Sequence, residues 1–300
     1  IIFMLMVLIA GTVHGENITY KKNKKILTSI QAVYSIAKSL TKDTDIEVYS
    51  IFDSDVSMDY GKSAFDNKDL DLSSAKDAVA VVDVARVWGN DYLYEYARRK
   101  NIRIVEIDAS YSFSGNDYLS LSLLNYKNGD RNPYVWMSFQ NVIKMANIAA
   151  DDLSELFPED SKRIEDNLIN FSQEIKEIEN GYLEKTLDLS SLSVITLTEN
   201  LDYLFNDLNI FFNYVDSNEL TVEKISEVMK RNNSKIFVSD RWIKKEIINE
   251  IEKKGGKFLV LDNFNIPREL NEKMDPDGYI KGMKENMEKL VEVMKFMDKK

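Results

Sequence analysis

The chain has 300 residues, 44% of them hydrophobic and 30% charged, and this length predicts two globular domains rather than one. Its formal net charge of −11 argues against nucleic acid as a partner, because such proteins need a clustered basic surface. The absence of cysteine excludes disulfides, thiolate metal ligands and thiol catalysis.

The N-terminal segment has the pattern of a secretory signal peptide. Residues 1–10 form an unbroken apolar run, followed by small residues and a lysine-rich stretch. Ten residues rise only about 15 Å as a helix, half the thickness of a bilayer core, so a short membrane anchor is the less favoured interpretation. We predict that residues 1–15 are a cleavable signal peptide and that the mature protein is periplasmic. Without a cysteine for lipid attachment, it is not expected to be a lipoprotein.

Short apolar runs alternate with helical periodicity through the first half of the chain. The predicted strands cover residues 25–29, 46–52, 78–84 and 102–107, and the predicted helices cover residues 32–40 and 92–100. Strands that alternate with helices indicate parallel βαβ units, with helices on both faces of a sheet.

The second half of the chain repeats this pattern. Its predicted strands cover residues 192–197, 210–215, 235–238 and 258–261, and its predicted helices cover residues 200–208, 221–231, 241–254 and 277–297. Gly255 and Gly256 are typical of a glycine C-cap at the end of the third of these helices.

A long helical segment separates the two halves. Residues 141–184 are predicted to be helical with one break at Pro158, after which Glu159 and Asp160 favour a helix start. Apolar residues then recur three and four positions apart, at Ile164, Leu168, Phe171, Ile175, Ile178 and Tyr182. A coiled-coil dimer is the alternative, but this stripe is short, so a monomer is expected.

The predicted fold class is therefore α/β, with two Rossmann-like lobes that contain parallel sheets and are joined by one long backbone helix. The expected boundaries are 24–157 for the N-terminal lobe, 158–186 for the connecting helix and 187–300 for the C-terminal lobe.

One segment carries a family resemblance. Residues 132–138 read Asn-Pro-Tyr-Val-Trp-Met-Ser, and Asn141 follows them. This segment is similar to the Asp-Pro-His-Val-Trp-Leu segment of the zinc- and manganese-binding solute-binding proteins of ABC importers, which also have two α/β lobes and one long helix. The resemblance covers nearly all of the mature chain. It implies a binding protein that captures a small ligand or metal ion between its lobes and delivers it to an ABC transporter permease.

The resemblance also identifies four ligand positions. Histidine occupies the first three in the family and an acidic residue the fourth; here they are Met58, Tyr134, Thr198 and Asp262. A further acidic position of some members falls at Ser239, with Asp240 next to it. The only histidine of the chain is His14, inside the predicted signal peptide. A thioether, a phenol, a hydroxyl and one carboxylate are a poor donor set for zinc, so a degenerate metal site is expected.

Several kinds of cargo remain open. Asp59, Glu199, Asp240 and Asp262 would form an all-oxygen site for manganese or another hard cation, although Asp59 and Glu199 are also typical helix caps. Met58 alone is weak evidence for a Cu(I) site, and Met137 is equally well explained as a packing residue. The cofactor is therefore unknown, with a divalent metal ion or a metal chelate as candidates.

Aromatic residues favour a third kind of cargo. Stacking and hydrogen bonds from aromatic side chains would hold a small organic molecule or a metal chelate. The candidate residues are Tyr60, Trp88, Tyr134, Trp136, Tyr203 and Trp242. Each of them alone is more often a packing residue, and a decayed paralogue without cargo is the remaining alternative.

Enzymatic activity is not expected. The chain has no glycine-rich phosphate loop and no Gly-x-Ser-x-Gly elbow. A carboxylate pair for hydrolysis could be drawn only from Asp53, Asp55, Asp59 and Asp66, which loop solubility explains better. An adhesin or interaction protein without transported cargo is the alternative within the family.

Overall fold

The computed structural model describes residues 24–52, 57–66, 73–112 and 117–298. The predicted signal peptide at residues 1–15 lies outside the described residues, as do Asp53 and Asp55. Within the described part of the chain, no helix combines the length and the apolar character needed to cross a membrane.

The N-terminal lobe contains a four-stranded parallel sheet. Its strands are β1 (Lys25–Thr28), β2 (Glu47–Ser50), β3 (Ala80–Asp83) and β4 (Val105–Asp108), in the order β2-β1-β3-β4. Its helices are α1 (Gln31–Leu40), α2 (Lys62–Asp66), α3 (Leu93–Lys100) and α4 (Phe139–Leu156). The central strand β3 is buried at all four positions, as expected of a parallel strand covered on both faces.

Successive side chains along these strands point to opposite faces of the sheet and so belong to two separate apolar layers. Ile26 and Val82 point into the core that contains α1 and α4, whereas Leu27 and Val81 point into a second cluster with α2 and α3. Helices therefore cover both faces of the sheet, and the carboxyl ends of all four strands meet at one edge.

The C-terminal lobe repeats the same strand order. Its strands are β5 (Ser193–Thr196), β6 (Phe211–Tyr214), β7 (Ile236–Ser239) and β8 (Lys257–Val260), in the parallel order β6-β5-β7-β8. The helices are α6 (Asp202–Asp207), α7 (Ile225–Asn232) and α8 (Lys245–Lys253), and a short antiparallel pair, β9 (Glu269–Leu270) and β10 (Lys273–Met274), follows the sheet. The winding direction reverses between β1 and β3 in the first sheet and between β5 and β7 in the second. At each of these places a crevice opens at the carboxyl edge of the sheet.

The predicted long helix is present as α5 (Ser161–Thr186), with 26 residues or about 39 Å. Ile164, Phe171 and Tyr182 of the predicted apolar stripe are all buried. The acidic residues before the helix have an additional role, because Lys24 Nζ lies 2.5 Å from Asp160 and 3.3 Å from Glu159. The predicted fold class, two parallel-sheet α/β lobes with a long helix, is confirmed.

A second long helix also crosses between the lobes. Helix α9 (Gly278–Asp298) begins against α1, where the Tyr279 amide donates to Ser35 Oγ over 3.3 Å. Its middle contacts the C-terminal lobe through Asn286, and its end accepts a hydrogen bond from the Ser190 amide at Asp298. The chain therefore returns to the N-terminal lobe after leaving the second sheet, and the predicted lobe boundaries stay a prediction.

Candidate functional site

The C-terminal sheet places two predicted site residues side by side at its crevice. Thr198 follows β5 and Asp240 follows β7, the two neighbouring strands between which the winding reverses. Thr198 Oγ1 donates to Asp240 Oδ2 over 3.2 Å. In open α/β sheets, this crevice beyond the strand ends is where ligands bind.

The Asp240 carboxylate is the centre of a hydrogen-bond network. Asn200 Nδ2 donates to Oδ2 over 2.7 Å, Asn263 Nδ2 donates to the same oxygen over 2.8 Å, and Arg241 Nε donates to Oδ1 over 3.2 Å. The Asp240 side chain is only 2% exposed, so its charge is held by these donors and by Thr198 rather than by water.

A wide cleft opens above this network, and we call it the C-lobe cleft. Its volume is about 1040 Å³, and it is lined by residues 126–128 of the N-terminal lobe together with residues that follow β5, β6 and β7. Trp242 on its wall is 76% exposed and contacts the Phe258 ring at a centroid distance of 5.9 Å. Residues 241–244 were expected to be helical, but α8 begins only at Lys245, which leaves Arg241 and Trp242 in the cleft wall.

Hydrogen bonds between the lobes close one end of the C-lobe cleft. The Lys127 amide donates to Glu199 Oε1 over 2.8 Å, and Tyr126 Oη donates to Asn200 Oδ1 over 2.8 Å. Tyr203 Oη accepts from the Leu124 amide over 2.8 Å and is 3.1 Å from the Asn132 carbonyl. Glu199 and Tyr203 therefore hold the loop before residue 134 against the C-terminal lobe.

The first two predicted ligand positions are packed into the lobe interface. Met58 and Tyr134 are 8% and 5% exposed, and the cavity beside Met58 has a volume of only about 10 Å³. The Met58 amide donates to the Asn265 carbonyl over 3.0 Å. Tyr134 contacts the Trp136 ring at 5.3 Å, and Trp136 Nε1 donates to the Asn263 carbonyl over 3.0 Å. The lobes are therefore in direct contact at this place.

Asp262, the fourth predicted position, is tied to α9. Its Oδ1 accepts from the Phe264 amide over 2.8 Å, and its Oδ2 lies 3.5 Å from Arg268 Nη1. The Asp262 amide and carbonyl both pair with the Asn286 side chain, at 2.9 and 2.8 Å. Burial raises the pKa of Asp262, an effect that Phe264 and Arg268 oppose.

The other predicted site residues are scattered. Trp88 is buried in the N-terminal lobe, and Tyr60 is 60% exposed outside the residues that line the C-lobe cleft. The side chain of Asp59 lies outside the described residues. In the ranges that the structure describes, no three His, Cys, Asp or Glu side chains are grouped so that they could hold a metal ion.

Sequence reasoning missed a group of buried carboxylates in the N-terminal lobe. Asp83 and Asp108 end β3 and β4, and Asp91 precedes α3. Ser29 Oγ donates to Asp91 Oδ2 over 2.6 Å, and burial raises the pKa of Asp91 to about 6. Burial, followed by the charges of Asp91 and Asp108, raises the pKa of Asp83 well above its usual range. Only the position of Asp83 after a run of buried valines could have signalled this group.

The described residues thus form two α/β lobes with matching sheets, a crevice at the strand ends and two long helices shared between the lobes. The chain matches the family model described as ZnuA, zinc-uptake complex component A, periplasmic, over residues 26–293. It therefore belongs to this family.

Solved structures show the same fold at low sequence identity. A mutant of FpvC from Pseudomonas aeruginosa has a TM-score of 0.73 and 17% identity, covering 91% of this chain and 99% of its own. A crystal structure of ZnuA has a TM-score of 0.68 and 17% identity over 90% and 98% of the two chains. The Zn(II)-bound ZnuA-like domain of AdcA from Streptococcus pneumoniae has a TM-score of 0.67 and 18% identity over 91% and 99%. No curated protein matches the sequence.

Proposed function

We propose that this protein is the solute-binding component of an ABC importer and that it captures a small organic solute rather than a zinc ion. It would deliver that solute to the permease of the importer. The observation that carries the proposal is the burial of Met58 and Tyr134, the first two ligand positions. Met58 lies beside a cavity of only about 10 Å³ and Tyr134 is 5% exposed, so both are packed at the lobe interface, whereas the C-lobe cleft measures about 1040 Å³.

Donor chemistry supports the same proposal. Zinc sites in proteins are built from imidazole nitrogen, thiolate sulfur and carboxylate oxygen. The four family positions offer the Met58 thioether, the Tyr134 phenol, the Thr198 hydroxyl and the Asp262 carboxylate. One carboxylate and three weak donors do not offset the dehydration of a dication. We infer that the histidines have been replaced because the cargo is different.

An all-oxygen manganese site would require large rearrangements. Asp240 already accepts hydrogen bonds from four side chains, and Asp262 faces Arg268 and α9. Glu199 accepts a bond from the Lys127 amide. These three carboxylates would have to leave their partners to converge on one ion, and that makes the oxygen site the less favoured cargo site.

Localisation and release follow from the same proposal. The family description places its members in the periplasm, and we extend that to this protein together with the predicted signal peptide. Because α5 and α9 both connect the lobes, we expect release by small shifts of one lobe against the other rather than by a wide hinge opening.

Elemental analysis combined with thermal denaturation tests the proposal. The purified protein is measured by plasma mass spectrometry, and its melting temperature is recorded with zinc, manganese and a panel of organic solutes. A ligand at 100 times its dissociation constant stabilises the folded state by about 2.7 kcal/mol. We expect stabilisation by an organic solute and by neither metal.

Two results would contradict the proposal. Zinc bound at one ion per chain would indicate that the cargo is the metal ion of the family and not an organic solute. Stabilisation by manganese that Asp262→Ala abolishes, and that Glu292→Ala on the exposed face of α9 leaves unchanged, would favour the oxygen site.

A further inference from the structure

The C-lobe cleft has features of a specific binding site, and we infer that it binds a zwitterionic organic solute, such as a short peptide. In this arrangement Arg241 pairs with the carboxylate of the solute, the acidic residues of the cleft pair with its ammonium group, and Trp242 contacts its apolar part. The role of that solute as transported cargo rests on the function proposed above, but its binding does not.

The location and the size of the cleft support binding of an organic molecule. The cleft lies at the crevice between the carboxyl ends of β5 and β7, where α/β folds place ligands. Its volume of about 1040 Å³ is at the upper end of the range for small-molecule sites. A single ion would fill a small fraction of this space, whereas several linked residues would fill much of it.

The charges that line the cleft have both signs. Its basic residues are Lys127, Arg241 and Lys244, and its acidic residues besides buried Asp240 are Glu199, Glu223 and Glu246. An ion of one sign would be attracted by one set and repelled by the other. A solute that carries an ammonium and a carboxylate group satisfies both sets, so the lining selects for a zwitterion.

Arg241 is held in position by the network below it. Its Nε donates to Asp240 over 3.2 Å, and the carboxylate is anchored by Thr198, Asn200 and Asn263. The Arg241 side chain is nevertheless 64% exposed and lines the cleft. A guanidinium that is oriented before the ligand arrives loses less conformational entropy when it pairs with a carboxylate.

Trp242 provides the apolar contact. Two of the three tryptophans, Trp88 and Trp136, are 6% and 0% exposed, while Trp242 is 76% exposed. Leu197, Leu220 and Ile247 also line the cleft, and the Trp242 ring contacts Phe258. A large exposed aromatic ring next to apolar residues and oriented charges is typical of a ligand contact.

The different exposures of the tryptophans make the binding test direct. Acrylamide quenching of tryptophan emission reports mainly on Trp242, because the other two are buried. We expect the zwitterionic tripeptides trialanine and trileucine to protect this emission, with dissociation constants at least about tenfold lower than those of N-acetylated, C-amidated analogues. Arg241→Gln should weaken tripeptide binding by about tenfold or more. Trp242→Ala should weaken it to a similar extent, measured by calorimetry because this variant lacks the fluorescent reporter.

The control is Phe211→Ala, because Phe211 is 65% exposed on β6 and does not line the cleft. It should leave tripeptide affinity unchanged. The inference is overturned if neither tripeptide protects Trp242, if the capped analogues bind equally well, or if Arg241→Gln has wild-type affinity. Zinc found at one ion per chain would contradict the proposed cargo and leave peptide binding at the cleft intact. Peptide binding without permease-dependent uptake would contradict transport alone.

Discussion

Two aspartates with buried side chains lie at the ends of equivalent strands in the two sheets but have different surroundings. Asp240 follows β7 and accepts hydrogen bonds from four side chains, three of which come from other loops of its lobe. Asp83 ends β3, the equivalent strand, and among the described residues its Oδ2 has no hydrogen-bond partner. Its Oδ1 accepts a long hydrogen bond of 3.4 Å from the Ala85 amide. Burial, followed by the charges of Asp91 and Asp108, therefore holds the pKa of Asp83 well above its usual range.

Asp91 beside it makes the stability of the protein depend on pH. Burial raises the pKa of Asp91 from 3.8 to about 6. Between pH 4 and pH 6, the folded protein keeps a proton that the unfolded chain has lost, so the free energy of unfolding falls as the pH rises. Above pH 6 Asp91 is ionised in the folded protein as well, and the free energy of unfolding is then lower than at pH 4 by at most about 3 kcal/mol. We therefore expect Asp91→Asn to raise the melting temperature at pH 7 and to flatten its dependence between pH 4 and pH 6.

Melting curves at pH 4.5, 5.5 and 7 measure this effect. An asparagine at position 91 keeps an oxygen for the Leu93 amide and can donate to Ser29, so these two hydrogen bonds are retained. Asp43→Asn, on an exposed turn where asparagine tolerates the positive φ of 59°, is the matched control and should leave the slope unchanged. An unchanged slope in Asp91→Asn would contradict the assignment.

The sequence predicted the residues at the strand ends better than it predicted their partners. Thr198 and Asp240 were placed at the crevice because β-branched runs locate the ends of β5 and β7. The orientation of Asp262 depends instead on Asn286 of α9, which is 24 positions further along the chain. The burial of Met58 depends on contact with Asn265 across the lobe interface. Neither contact leaves a periodic signal in the sequence.

At the scale of secondary structure, the docking of α9 is the feature with the largest expected effect on stability. A Cβ atom at Gly282 would collide with the Phe264 ring and lie 2.8 Å from Arg268 Nη1. Phe264 itself has a positive φ of 62°, so its backbone has little freedom to move away. Gly282→Ala should therefore lower the free energy of unfolding by about 1–3 kcal/mol.

Gly181 on α5 is the matched control for this substitution. A Cβ atom there would meet no heavy atom within 4 Å, and alanine is the better helix former by up to about 1 kcal/mol. We expect Gly181→Ala to raise the free energy of unfolding in urea titrations while Gly282→Ala lowers it. Equal effects of the two substitutions would show that α9 is not closely packed at Phe264.

The helices were predicted well where amphipathic periodicity is strong and less well where loop residues take part in the cleft. The stripe from Ile164 to Tyr182 identified α5 because its apolar residues, spaced three and four positions apart, lie on one side of the helix. The segment 241–244 directly precedes α8 but is not helical, since Arg241 pairs with Asp240 and Trp242 packs on Phe258. Tertiary contacts outweigh helix propensity there.

At the scale of the whole molecule, we expect the two long helices shared by the lobes to restrict the motion of one lobe against the other. Helix α5 contacts the N-terminal lobe where Asn167 Nδ2 donates to the Leu40 carbonyl, and it contacts α9 where Tyr182 approaches Met294. We expect X-ray scattering profiles of the protein to be nearly the same before and after saturation with a stabilising solute. A large decrease in the radius of gyration on loading would contradict the small-shift mechanism.

The return of α9 to the first lobe also has a consequence for the order of folding. Gln31 Nε2 donates to the Asp275 carbonyl, and the Tyr279 amide pairs with Ser35, each across 244 positions of sequence. The interior face of α1 is therefore completed by residues that are synthesised 244 positions after it. Until they arrive, the N-terminal half leaves apolar surface uncovered, and contacts of such long sequence separation form slowly. We therefore expect a nascent or truncated chain that ends before residue 278 to remain incompletely folded in both halves, and the two lobes to fold as one cooperative unit although each has its own sheet.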